Sequence, residues 1–258
     1  MFEIETAMIG GWIGSFFWPF IRIGAFFMAA PLFGTKLVAS RTRIVLAFLL
    51  TLLLFPNLPV MPQIDLLSVS AIVLIAQQLL IGIAMGFSMQ IFLQIFVVAG
   101  QMIAMQMGLG FASMVDPTSG VSVTVLSQFH LMLMTLLLIS MNGHLAMIEV
   151  LVASFHSLPI GGAFIHNNML WDLVGRATWM FGSAMLISLP AIASMLIINF
   201  SMGVVTRAAP QLNIFAIGFP FMLVVGLCVV WVTLGGYLPL FDRFTREALD
   251  MMALLVKP

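Results

Sequence analysis

Apolar residues run along this chain in six long blocks, at about Met8–Phe33, Ile44–Phe55, Leu66–Ala104, Val121–Met141, Ala177–Val205 and Ile214–Tyr237. None of the blocks alternates in and out, as the roughly ten-residue strands of a membrane barrel do. The other structure that satisfies its own backbone in lipid is the helix. The pattern therefore predicts an all-α integral membrane protein. Two blocks do not match the length of a simple span, one being too long and the other too short. Leu66–Ala104 is 39 residues long, roughly 58 Å as one helix against roughly 30 Å of hydrocarbon. It is either a broken hairpin or a helix largely buried in protein. Ile44–Phe55 is short, and Pro56, Pro59 and Pro62 stop it.

Composition sharpens this picture. Hydrophobic residues make up 62% of the 258 and charged residues 7%, against about 25% charged in a soluble domain. Zero net charge gives no pointer to nucleic acid. The one cysteine, Cys228, excludes a disulfide framework and is expected as a buried structural thiol. The first residues, with Glu3 and Glu5, lack the basic start of a signal peptide, so the first apolar block is expected to be retained.

Charge placement adds a difficulty. Lys36, Arg41 and Arg43 form the clearest basic cluster, which the positive-inside rule puts in the cytoplasm. If each later block crossed once, Arg207 would return there but Arg243, Arg246 and Lys257 would lie outside. Some apolar blocks therefore do not cross simply.

Candidate chemistry is sparse. The histidines, His130, His144, His156 and His166, show no ligand spacing, and no nucleophile or nucleotide motif occurs. No catalytic, cofactor or metal residue is assigned. The stretch from His144 through Glu149, His156 and His166 to Asp172 reads as a connecting loop outside the membrane. Arg22 lies inside an apolar block, where a charge is costly and faces protein or water. Gln77, Gln78, Gln90, Gln94, Gln101 and Gln106 recur through the third block. They form either ordinary interhelical hydrogen bonds or a polar stripe along an aqueous path or subunit seam. In the last residues Phe241, Phe244, Ala248, Met251 and Leu255 fall at 3-4-3-4 spacing opposite Asp242, Arg243, Arg246, Glu247 and Asp250. That is an amphipathic helix, lying on the membrane surface or docking a partner.

The run MQMGLGFASMVDPTSG (residues 105–120) interrupts the apolar pattern. Asp116-Pro117 suits a helix start and Asn142-Gly143 a stop, which predicts a helix over 117–141. Residues 106–115 are then a non-helical approach. Such backbone survives at membrane depth only when protein shelters it or it lines a cavity. Met105, Met107, Phe111 and Met114 would project into that cavity, unless the run is a plain loop with small residues for close packing.

The same run, with RAAPQLNIFAIGFP (Arg207–Pro220), RIGAFFMAAPLFG (Arg22–Gly34) and the Arg41/Arg43 loop, resembles the FliR family of flagellar export-gate proteins over essentially the whole chain. The resemblance implies a single copy in a helical ring with FliP and FliQ, next to FlhA and FlhB. Unfolded flagellar proteins would pass through this ring in the bacterial inner membrane, at the flagellar basal body, part of it raised toward the periplasm. It implies bent or broken helical hairpins, with a FliP-like part over 1–176, a FliQ-like hairpin over 177–237 and the tail over 238–258. The loop at about 106–120 would be a pore plug, carried by Met105, Gln106, Met107, Gly108, Gly110, Phe111, Met114, Asp116 and Pro117. Arg207, Pro210, Gln211 and Asn213 would form the cytoplasmic hairpin tip, and Phe241, Phe244, Met251 and Leu255 a partner-docking tail. A secondary transporter or channel, and the injectisome counterpart of the gate, are the alternatives.

Overall fold

The computed structural model describes residues 6–35, 38–59, 61–62, 64, 68–110, 124–162, 169–209 and 218–256, with side chains from residue 15 in the first helix and 171 in the sixth. Every regular element among them is helical: α1 (Thr6–Ala29), α2 (Ser40–Leu54) with a 3-10 turn at Phe55–Asn57, α3 (Val69–Gln106), α4 (Val125–Ser140), α5 (Gly143–Ser157), α6 (Met169–Ala208), α7 (Phe219–Leu234) and α8 (Tyr237–Leu254). The all-α membrane class holds. Ser40–Asn57, α3 and most of α6 are each long and apolar enough to cross a bilayer, while α4 with α5 and α7 with α8 form bent pairs. The α7–α8 bend is 61° across Gly235 and Gly236.

The chain gathers into two compact units, Met1–Ile91 with Ile139–Ala177 and Arg246–Pro258, and Phe92–Leu138 with Thr178–Thr245. Helices α3, α6 and α8 each contribute to both.

In the first unit, α3 crosses α1 at two glycines one turn apart. A Cβ on Gly82 would sit 2.8 Å from Ala25 Cβ and 3.0 Å from Phe26 N. One on Gly86 would sit 2.7 Å from Ala30 N and 2.8 Å from Phe26 O. Small residues at this spacing let helix backbones approach, the usual route to tight packing where lipid gives no hydrophobic drive.

That approach carries Arg22 into the interior, where it is fully buried. Its Nε donates to Gln78 Oε1 at 2.7 Å. Its Nη1 donates to the carbonyl of Ser154 at 3.0 Å and to that residue's Oγ at 3.2 Å. Its Nη2 donates to the carbonyl of Leu158 at 3.0 Å, and the guanidinium lies 4.5 Å from the centre of the Phe155 ring. Ser154 and Leu158 stand at the C-terminal end of α5, where the Ser154 carbonyl also accepts the Leu158 N–H at 3.0 Å. The Leu158 carbonyl lies past the last helical turn, and the helix dipole there is negative. The charge is thus compensated by a helix end and an aromatic face. Arg176 repeats the device: its Nη2 donates to the carbonyl of Met251 in the last turn of α8.

The second unit is built on aromatic contacts. Phe241 packs 5.5 Å from Phe92 and 5.7 Å from Phe96, and Phe244 packs edge-on 6.1 Å from Trp179. Beside them Ile103, Ala104, Met107, Leu126, Ala191 and Met195 form a buried apolar cluster.

The structure corrects several expectations. Of the two alternatives for the long third block the buried helix holds and the broken hairpin does not: α3 is unbroken from Val69 to Gln106 and nearly half buried, so protein takes up the length that lipid cannot. The loop expected from His144 to Asp172 is largely helical, because Met147, Leu151 and Phe155 recur at helical spacing and face the core of α5. The helix expected over 117–141 is not continuous. Its described part, α4, runs from Val125, with Thr124 before it accepting the Ser127 N–H on its Oγ1 at 3.4 Å as an N-cap. The expected start at Asp116-Pro117 lies outside the described residues. Cys228 is exposed on α7. That helix is apolar all round, and an apolar helix facing lipid need not hide a thiol in protein.

Candidate functional site

Helix α3 ends at a defined stop. Gly108 has φ +82°, and its N–H reaches the Met105 carbonyl at 3.2 Å while Leu109 N–H reaches back to Ala104 at 3.0 Å. This pair of bonds is a Schellman motif, with glycine at the left-handed position. The Gln106 carbonyl in the final turn also accepts from Asn199 Nδ2 of α6 at 3.2 Å. Glycine here terminates the helix and fixes the direction in which the chain leaves it. Replacing Gly108 with alanine is expected to cost about 1–2 kcal/mol through the left-handed backbone, and asparagine less. Thermal midpoints of the purified chain check this; equal midpoints for glycine and alanine would mean that the turn does not persist in solution.

The residues of this stop have different fates. Met107 is 1% exposed and belongs to the buried cluster, where it lies over Gly226 of α7. A Cβ on Gly226 would come within 2.7 Å of Met107 Cε, so that glycine makes the seat for the thioether. Met105 is 57% exposed, with its sulfur turned toward Gly110. Gln106, Gly108 and Gly110 are half-buried. Phe111, Met114, Asp116 and Pro117 lie outside the described residues.

Where the described chain resumes, it is tied back to α3. Gln101 Oε1 accepts the Thr124 N–H at 3.1 Å and the Ser127 hydroxyl at 3.2 Å. One turn further along α4, His130 is fully buried, with Nδ1 2.8 Å from the Leu126 carbonyl and Nε2 3.1 Å from the Tyr237 hydroxyl. A carbonyl only accepts, so the hydrogen sits on Nδ1 and Nε2 accepts from the tyrosine. Gly100 makes room for this crossing: its Cβ would meet Ser127 Cα at 2.9 Å. An apolar recess of about 600 Å³ opens beside the stop, lined by Met107, Leu109, Phe129, Leu227 and Trp231 among others.

Gln101, and Gln78 on Arg22, are thus glutamines of the third block that bond between helices. The other sequence candidates fall elsewhere. Arg207 is exposed near the end of α6, while Pro210, Gln211 and Asn213 lie outside the described residues. In the amphipathic tail Phe241, Phe244 and Leu255 are buried and Met251 is half-buried within this chain. Sequence reasoning missed the role of Met107 and Gly226, which depends on a contact between α3 and α7. It also took Gly108 only as a plug residue, although glycine after an apolar helical run is a helix-stop signal.

Residues 13–248 match the family described as bacterial export proteins, family 1. The flagellar biosynthetic protein FliR of Escherichia coli K12 is 36% identical over 253 residues, which cover 98% of this chain and 97% of that protein. FliR of Pectobacterium carotovorum subsp. carotovorum is 39% identical over 246 residues, covering 94% and 92%. FliR of Bacillus subtilis strain 168 is 28% identical over 248 residues, covering 92% and 95%. Kinship of this extent, across nearly every helix described above, means that the chain belongs to family 1 of the bacterial export proteins, the family of FliR.

Proposed function

We propose that the chain is a non-enzymatic subunit of the flagellar type III export gate in the bacterial inner membrane, at the basal body. It forms, with FliP and FliQ, the ring through which unfolded flagellar proteins leave the cytoplasm, next to FlhA and FlhB. The observation that carries this reading is the full-length kinship with FliR proteins. Residues 106–120 act as the plug of that ring. Support comes from the end of α3: an exposed Met105, a glycine stop at Gly108, and Met107 held in the core as the root. Methionine and phenylalanine suit a seal, because they exclude water, deform easily and offer an incoming peptide no fixed hydrogen bond. The driving energy comes from partner proteins. Arg207, Pro210, Gln211 and Asn213 form the cytoplasmic tip of a FliQ-like hairpin, and the tail of Phe241, Phe244, Met251 and Leu255 docks only where a partner displaces the packing those side chains already make.

Removing residues 111–115, with Gly108 left to stop α3, tests the plug. The expected result is a leak of small ions through the membrane with secretion retained. A tight membrane with unchanged secretion would sink the plug assignment, and loss of the assembled ring from cells lacking this chain is the separate check on gate membership.

A further inference from the structure

Helix α2 is poorly covered by the rest of its unit. Only Ala47 and Thr51 are buried, while Ile44, Val45, Phe48, Leu49, Leu52 and Leu53 face outward. Between α1, α2 and the start of α3 runs an apolar groove of about 240 Å³. Phe20, Ile21, Met28, Ile44 and Leu79 line it, together with Gly24, whose Cβ would still be 4.0 Å from Ala47 Cβ. The groove exists because α1 offers a glycine where α2 offers an alanine.

One end of this groove is basic. Ser40 and Arg43, in the first turn of α2, line it, and Arg41 beside them is exposed. The Arg43 Nη2 donates to the carbonyls of Thr35 and Val38, which holds the guanidinium in place, and its Nε is buried with no hydrogen-bond partner. The first turn of α2 has no acidic residue and no side-chain cap. An anion meeting this end would find fixed positive charge and no competing carboxylate in that turn.

We propose that the groove holds one acyl chain of an anionic phospholipid, with its phosphate on Arg43 and Arg41. Three observations choose this occupant. The walls are apolar, so a polar metabolite gains nothing from them. The volume falls below the roughly 300–1,000 Å³ typical of small-molecule pockets, but a single extended chain needs only a narrow slot. The charge selects an anion, and the positive-inside rule puts this end of α2 at the cytoplasmic leaflet, where anionic lipids concentrate. The lipid would fill the seam between α1 and α2 and fasten the loop that Arg43 already holds. The proposal is independent of the plug.

The test uses the full chain, purified in mild detergent, stripped of lipid and titrated with phosphatidylglycerol or phosphatidylcholine. Bound lipid is counted by native mass spectrometry. Phosphatidylglycerol should be retained roughly thirtyfold better, as expected for two cationic contacts. Gly24→Leu, which fills the groove, should abolish retention of both lipids. Arg41→Gln and Arg43→Gln should each erode the preference for phosphatidylglycerol and leave phosphatidylcholine unchanged. Should Arg43→Gln disturb the Thr35–Val38 loop, Arg41→Gln and Gly24→Leu still decide the matter. Equal retention of the two lipids would overturn the proposal, as would retention that survives Gly24→Leu. So would competition by glycerol phosphate as effective as by the lipid, which would mean an anion site without an acyl slot. A groove that accepts lipid only after a co-purifying helix is removed would assign it to a protein partner instead.

Discussion

Replacing Arg22 with methionine is expected to cost the first unit about 3–5 kcal/mol, as when one partner is taken from a buried charged pair. Methionine fills much of the same space, so packing alone predicts little change. What it removes is the donors to Gln78 Oε1 and the Leu158 carbonyl, and one of the two donors to the Ser154 carbonyl, which keeps the Leu158 N–H at 3.0 Å. A buried acceptor left without a partner costs about 1–3 kcal/mol, and the two orphaned oxygens account for most of the total. The Leu158 carbonyl suffers most, because it cannot turn to find another donor, whereas Gln78 can rotate its amide. Lysine should fall between the two, since one ammonium cannot span acceptors on two helices. Thermal unfolding of the purified chain checks this, with a fall of roughly 10 °C expected for methionine. A fall under about 2 °C would mean that the guanidinium contributes only bulk.

The second large effect is expected at the crossing of α1 and α3. Gly86→Leu would press a side chain into the backbone of α1, at Phe26 O and Ala30 N. Overpacking a core costs about 1–3 kcal/mol when neighbouring side chains can yield, and more when they cannot. Backbone yields only if α1 moves as a whole. That movement would also stretch the Arg22 hydrogen bonds, which now span 2.7–3.2 Å, so the loss should exceed 3 kcal/mol. The pairing also predicts non-additivity. Once α1 has moved away for Gly86→Ala, Gly82→Ala meets less resistance, so the double variant should lose clearly less than the sum. Additive losses, or a leucine variant as stable as wild type, would place the contact elsewhere.

These two sites show what could be read from the chain and what could not. That Arg22 must face protein followed from the cost of a charge in lipid. Its partners did not follow, because Ser154 and Leu158 lie 132 and 136 residues away. The glutamines were legible as polar groups needing partners, yet not as belonging to particular bonds. Gly82 and Gly86 sit four apart in plain view; the pattern names a close helix contact but not the helix on the other side. The tail shows another limit. Its 3-4-3-4 spacing was enough for an amphipathic helix, but whether Phe241 meets lipid, a partner or Phe92 is a question of tertiary packing. A helix boundary was also missed: nothing local marked Thr124, yet the helix that runs to Ser140 takes its cap there.

The stop at Gly108 and the Gln101–Thr124 bond together set a limit of reach. One end of the intervening chain is fastened where Leu109 N–H meets Ala104, the other where Thr124 N–H meets Gln101, and both fasteners sit on the last turns of α3. Fourteen residues, 110–123, lie between them. A chain of that length has a contour of at most roughly 50 Å, so none of its residues lies more than roughly 25 Å from the nearer fastening. On the plug reading proposed above, the pore these residues seal lies within that radius of the end of α3.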